Sequence, residues 1–203
     1  ANGYETMLLL SWLIMIVSIL TTRKLQLMTT FGLIMSGFML LVSHLGEMDP
    51  SITPRMPVLN SPLLSIHVSI IMMSYALLSL TFISAITYFF TRNSKRESVI
   101  SVNKQLTDLS QIFLYPAITT LGLGIFIGAI WANISWGTYW GWDPKETWAL
   151  ITFLIYAIPL HTNSLPALRK PEKYHFFMLL SFLSILMTYF GVNYILGGMH
   201  SYA

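Results

Sequence analysis

The chain has 203 residues, 55% of them hydrophobic and 9% charged, which excludes a soluble globular domain, where about a quarter of residues carry charge. Its formal net charge is +3 and it has no cysteine, so it forms no disulfide and offers no thiolate to a metal or a substrate. The class expected is an all-α polytopic membrane protein, a single membrane domain over 1–203 with lipid as its first partner.

A hydrocarbon core takes about 20 residues of helix. Six segments are long and apolar enough, at 4–21, 25–45, 63–90, 107–132, 145–164 and 174–197. The first opens on Asn2-Gly3-Tyr4-Glu5 and stops at Arg23-Lys24. The second runs to His44 and gives way to a loop holding Glu47, Asp49, Pro50, Pro54 and Pro57. The third starts near Pro62 and carries His67 about one turn inside it. The most charged stretch follows, Arg92 to Glu97, with Lys104 beyond it. The fourth contains Gly122, Gly124 and Gly128, small residues that let a neighbouring helix approach closely. After the fifth, Pro166 and Pro171 flank Arg169-Lys170. The sixth ends at Gly197-Gly198, leaving a tail from Met199 to Ala203.

Charge placement sets the expected orientation. Arg23, Lys24, Arg92, Lys95, Arg96, Lys104, Arg169, Lys170 and Lys173 fall on the 1–2, 3–4 and 5–6 connections, nine of eleven basic residues. By the positive-inside rule those connections are cytoplasmic. Both termini, His44, His67, His200 and the segment between the fourth and fifth spans then face outward. The basic residues are topology signals, and no nucleic-acid surface is expected.

That outward segment is the most informative of the chain. Five of the six tryptophans, Trp131, Trp136, Trp140, Trp142 and Trp148, lie in one external tryptophan-rich stretch around Asp143-Pro144-Lys145-Glu146. Asp at N-cap, Pro at N1 and Glu at N3 read as the start of the fifth helix. Trp136 and Trp140 share a face if the segment is helical, and Trp140 and Trp142 share one if it is extended. An interfacial aromatic belt explains one or two tryptophans. Four within 136–148, interleaved with Gly137 and Gly141, exceed what anchoring needs and favour a platform for a flat ligand.

The topology puts His67 and His200 at one depth beside that platform, where two neutral imidazoles could ligate a haem iron axially. His161 lies roughly 25 Å down the fifth helix, toward the other side, where an imidazole points to function and would need another partner. His175 is expected at the interface, because Pro166 to Pro171 breaks any single helix joining it to His161. His44 reads as a boundary histidine.

The tract from Trp136 through Trp140-Gly141-Trp142-Asp143-Pro144-Lys145-Glu146 to Trp148 resembles the WWD signature of haem-handling membrane proteins. With Ser65-Ile66-His67, Ser74-Tyr75, Trp131-Ala132-Asn133, Tyr156 to His161, and Gly191 to Tyr202, the blocks run in the order seen in the CcsA family of system II cytochrome c biogenesis. The resemblance implies a cytochrome c synthase that works with CcsB, joining haem b to the Cys-x-x-Cys-His motif of apocytochrome c. It implies that His67 and His200 ligate the iron outside and that His161 holds haem within the membrane, opposite a ligand from CcsB. Trp131, Trp136, Tyr139, Trp140, Trp142, Asp143 and Trp148 are implied to bind the ring. The location implied is a bacterial inner membrane or a thylakoid, with the loop periplasmic or lumenal.

Two departures accompany it. The family has membrane helices ahead of the Asn-x-Tyr-Glu block at which this chain begins, so a longer protein, with CcsB fused or separate, is expected. Leu63 stands where the family often has Trp. The rival expectation is a haem exporter that hands haem on without forming thioether bonds. A quinol-oxidising cytochrome b subunit would need histidine pairs at both depths, and a plain anchoring subunit leaves the histidine placement unexplained.

Overall fold

The computed structural model of the chain describes residues 3–46 and 61–196. His200 and the acidic, proline-containing loop at 47–60 lie outside the described residues. Within them the fold is helical throughout: α1 (Gly3–Thr21), α2 (Leu27–Leu45), α3 (Pro62–Thr91), α4 (Glu97–Trp136), α5 (Pro144–Ala157) and α6 (Pro171–Leu186). A 3-10 turn over Ile158–His161 follows α5, another spans Pro166–Arg169, and a π-helical segment, Met187–Leu196, continues α6.

Among the described residues, five segments are long and apolar enough to cross a membrane: α1, α2, α3, α4 and Pro171–Asn193. The fifth expected span, 145–164, is shorter than the sequence suggests. Its α-helical part has 14 residues, about 21 Å of rise against a hydrocarbon core of about 30 Å. Pro159 sits where the helix tightens into its 3-10 turn, since proline offers no amide to the ladder. α4 departs the other way. At 40 residues it spans roughly 60 Å, reaching back through the charged stretch and forward to Trp136, with Pro116 inside it. The expected loop from 131 to 146 therefore contracts to Gly137–Asp143, and Trp131 and Trp136 are helical.

α3 and α4 form the most extensive pairing and the spine of the bundle, with α1, α2 and α6 packed around α3 and α5 against α4 and α6. The core holds Met7, Met28, Tyr75, Leu78, Leu80, Leu106, Leu121, Tyr156, Tyr174 and Met178, all essentially inaccessible. The outer surface is apolar too: Trp12, Leu20, Leu33, Phe38, Phe90 and Phe126 are each more than half exposed. In water such a surface would drive association; in a bilayer it faces acyl chains.

Glycines set the closest helix approaches. A Cβ on Gly124 would fall 2.5 Å from Ile71 Cδ1, and one on Gly122 would fall 3.1 Å from the Phe153 ring. α4 thus presents small residues to both α3 and α5, as the sequence suggests. Hydroxyls add polar ties between helices, which have no water to fall back on within the membrane: Ser11–Ser36 at 2.7 Å, Thr152–Thr188 at 2.9 Å, and Ser74 donating to the Ala117 carbonyl at 2.8 Å.

Candidate functional site

The antiparallel α3–α4 pair puts the start of α3 beside the end of α4. His67, in the second turn of α3, therefore lies against Gly124 and Gly128. Its Nδ1 is 2.7 Å from the Gly124 carbonyl, and a Cβ on Gly128 would fall 2.6 Å from its Cε1. One turn beyond Gly128, Trp131 is buried and meets Trp136 edge-on at 4.8 Å between ring centroids. Trp131 thus lies within the helix packing beneath the loop, while Trp136 is half-buried.

α4 stops at Gly137, whose φ of +79° closes the helix by the left-handed turn that glycine adopts without strain. The chain then runs in seven residues to Asp143, where the expected capping box is complete. Asp143 Oδ1 accepts from the Lys145 amide at 2.9 Å, and Glu146 Oε2 accepts from the Asp143 amide at 3.2 Å. Such a cap stabilises a helix start by about 1 kcal/mol. The same Glu146 oxygen also accepts from the Gly141 amide at 2.9 Å.

Glu146 therefore grips the chain on either side of Trp142. That residue adopts φ +56°, the sole positive φ at a non-glycine position among the described residues, a conformation costing about 1–2 kcal/mol for a side chain of this kind. The indole so held is 70% exposed. It meets Trp140 at 5.8 Å and 88°, so the two rings form a corner rather than a flat stack. Tyr139 is exposed beside them, and Trp148, half-buried on the first turns of α5, takes a hydrogen bond on its carbonyl from Thr188 at 3.2 Å.

Two further links bring the end of α6 to the same end of the bundle. Lys145 Nζ donates to Asn193 Oδ1 at 2.8 Å, and the Tyr189 hydroxyl donates to the Gly3 carbonyl at 3.1 Å. The starts of α1, α3 and α5 and the ends of α4 and α6 thus share one end. The sequence marks Gly128 only as a helix-packing glycine, not as the seat of His67, and does not mark Asn193 or the Glu146–Gly141 bond. The i, i+4 spacing of Gly124 and Gly128 was a signal for the first; nothing in the sequence pointed to the others.

The remaining histidines lie away from this end or outside its packing. His161 closes the 3-10 turn after α5, exposed, with Nδ1 3.0 Å from the Ala157 carbonyl. His44 is exposed near the end of α2. His175, expected at the interface, is fully buried inside the bundle. It stacks on Tyr88 at 4.4 Å, and its Nε2 lies 3.0 Å from Thr107 Oγ1. The reason is that α6 starts at Pro171 and turns its next inward face, Tyr174 and His175, onto α3 and α4. Near it, Arg92 pairs with Glu172, joining the end of α3 to the start of α6.

The residues at the tryptophan end fit a haem. A neutral imidazole held through one nitrogen can ligate iron through the other, and a corner formed by the exposed Trp142 and the half-buried Trp140 offers a face and an edge to a macrocycle. His67, Trp136, Tyr139, Trp140 and Trp142 are the described residues at that end that would serve; Trp131 is buried, Trp148 is half-buried on α5, and His161 lies in the turn that follows α5.

Comparison with known proteins agrees in kind. A family model described as cytochrome C assembly protein matches residues 1–200. Protein NrfI of Wolinella succinogenes is 42% identical over 210 aligned residues, covering all of this chain but 23% of that protein. The cytochrome c biogenesis protein CcsA of Oryza sativa subsp. indica is 32% identical over 248, with 77% of it covered. CcsA of Mesostigma viride is 32% identical over 237, with 76% covered. The chain thus spans less than a quarter of NrfI and about three quarters of these two CcsA proteins. It belongs to the cytochrome c assembly protein family.

Proposed function

We propose that this chain holds haem at its tryptophan end and takes part in joining it covalently to the Cys-x-x-Cys-His segment of apocytochrome c. The observation that carries the reading is the convergence of an anchored imidazole, His67, with a strained and exposed indole, Trp142, at one end of a membrane bundle. Haem is the substrate. His67, with His200 as the second axial ligand, holds the iron; Trp136, Tyr139, Trp140 and Trp142 hold the ring, and Asp143 and Glu146 hold the loop.

Each thiol of the substrate then adds across one vinyl double bond. The S–H bond breaks, sulfur bonds the vinyl carbon next to the ring, and the proton ends on the terminal carbon. The addition is redox-neutral, so the cysteine-free chain supplies neither thiol nor electrons. Its contribution is positioning, turning a bimolecular encounter into a nearly unimolecular one. His161 serves an inner holding point whose second ligand comes from a CcsB-type partner. The tryptophan end faces the periplasm or lumen, opposite the basic connections.

The test uses the full-length protein, co-expressed with CcsB and a Cys-x-x-Cys-His substrate. The expected product is substrate whose haem resists acid–acetone extraction, falling at least tenfold with His67→Ala. Haem that reaches the substrate but is extracted by acid–acetone supports an exporter instead. Undiminished product from His67→Ala contradicts the site.

A further inference from the structure

We propose that Gly128 and the Gly124 carbonyl form a positioning device that fixes the tautomer and direction of the His67 imidazole, making Nε2 the nitrogen presented to a metal. The inference deepens the proposed function and rests on it for the identity of the metal, haem iron; the tautomer stands on geometry alone.

The geometry is an interlock of two antiparallel helices. On α3, His67 and Ile71 are one turn apart and share a face; on α4, Gly128 and Gly124 do the same. His67 faces Gly128, with the Gly128 Cβ position 2.6 Å from its Cε1 and 2.8 Å from its Nδ1. Ile71 faces Gly124, with the Gly124 Cβ position 2.5 Å from its Cδ1. Any side chain at 128 would occupy the imidazole's own space. Because glycine leaves that space empty, the ring comes up against the α4 backbone and its Nδ1 reaches the Gly124 oxygen at 2.7 Å.

A carbonyl oxygen can only accept, so Nδ1 carries the hydrogen. In a neutral ring the lone pair then belongs to Nε2. The hydrogen bond orients the ring and also raises the basicity of the opposite nitrogen, as partners of metal-bound histidines do. Simple helix packing explains Gly124 against Ile71, but it does not require the polar edge of His67 to meet a backbone oxygen. Gly128 is therefore a positioning residue that acts through His67.

The test is nitrogen NMR of haem-stripped full-length protein in nanodiscs, with 15N-histidine and the His67 signals assigned by their loss in His67→Gln. The expected result for wild type is a protonated Nδ1 and a lone-pair Nε2. Gly128→Ala should shift His67 toward the opposite tautomer, whereas Gly122→Ala, on the face of α4 turned to the Phe153 ring of α5, should leave it unchanged. With haem restored, Gly128→Ala should raise the reduction potential or lose the low-spin spectrum, and added imidazole should recover the latter. A wild-type His67 protonated at Nε2 overturns the proposal even if Gly128→Ala fails to fold. The expected tautomer with no haem bound by the loaded protein would leave the device standing and sink the haem reading.

Discussion

At the scale of single residues, Trp142 separates a functional from a structural role most sharply. A residue placed only for stability has no reason to take a left-handed backbone and leave its indole in solvent. Trp142→Gly relieves the backbone, so thermal unfolding should show no loss and a gain of up to about 1 kcal/mol. The same variant should lose most bound haem, read from the optical spectrum. His175 behaves in the opposite way. Fully buried between Tyr88 and Thr107, it should cost about 2–4 kcal/mol when replaced by alanine, through lost packing and the cavity left behind. The outer haem spectrum of the folded His175→Ala protein should be unchanged. The sequence suggests an interfacial His175 because Pro166 to Pro171 breaks any single helix joining it to His161. Those residues fix where α6 begins but not which way it faces, and facing depends on α3 and α4, far away in the chain. The capping box, by contrast, was fully legible: its partners sit within three residues of one another.

Among the elements, the distinctive one is the π-helical end of α6. Its wider turn brings Asn193 to Lys145 and Thr188 to Trp148, so the segment leading toward His200 is tied to the first turns of α5, directly behind the tryptophan loop. Wide helical turns of this kind concentrate at functional sites. A hydrogen bond from a charged donor is worth about 1.5–3 kcal/mol. Lys145→Met should therefore speed hydrogen exchange over 187–196 by roughly tenfold to a hundredfold, while exchange in α3 stays as it was. Equal acceleration throughout would mean that Lys145 supports the whole bundle instead. Hydropathy located each α-helix among the described residues. It missed the brevity of α5, the length of α4 and the π-helical turn, because those depend on where backbone hydrogen bonds close and not on how apolar the residues are. The extension of α4 to Trp136 is what turned the expected long loop into a seven-residue one.

At the scale of the whole molecule, the chain joins two ends of different character. One gathers His67, the indoles and Lys145; the other gathers Arg92, Glu172, Arg169 and His161. Because the chain contains no cysteine, single introduced thiols report sidedness without background. Tyr139→Cys should react with a membrane-impermeant maleimide added outside intact cells, and Ser164→Cys only after the membrane is opened. The reverse pattern would invert the orientation inferred from the basic connections. The central claim is that the tryptophan end holds haem through histidine, and one measurement meets it directly: the optical spectrum of the purified protein, wild type beside His67→Ala and His200→Ala. The prediction is a low-spin, six-coordinate haem in wild type, lost in each variant and recovered with added imidazole. Haem that is bound yet indifferent to both substitutions would contradict it.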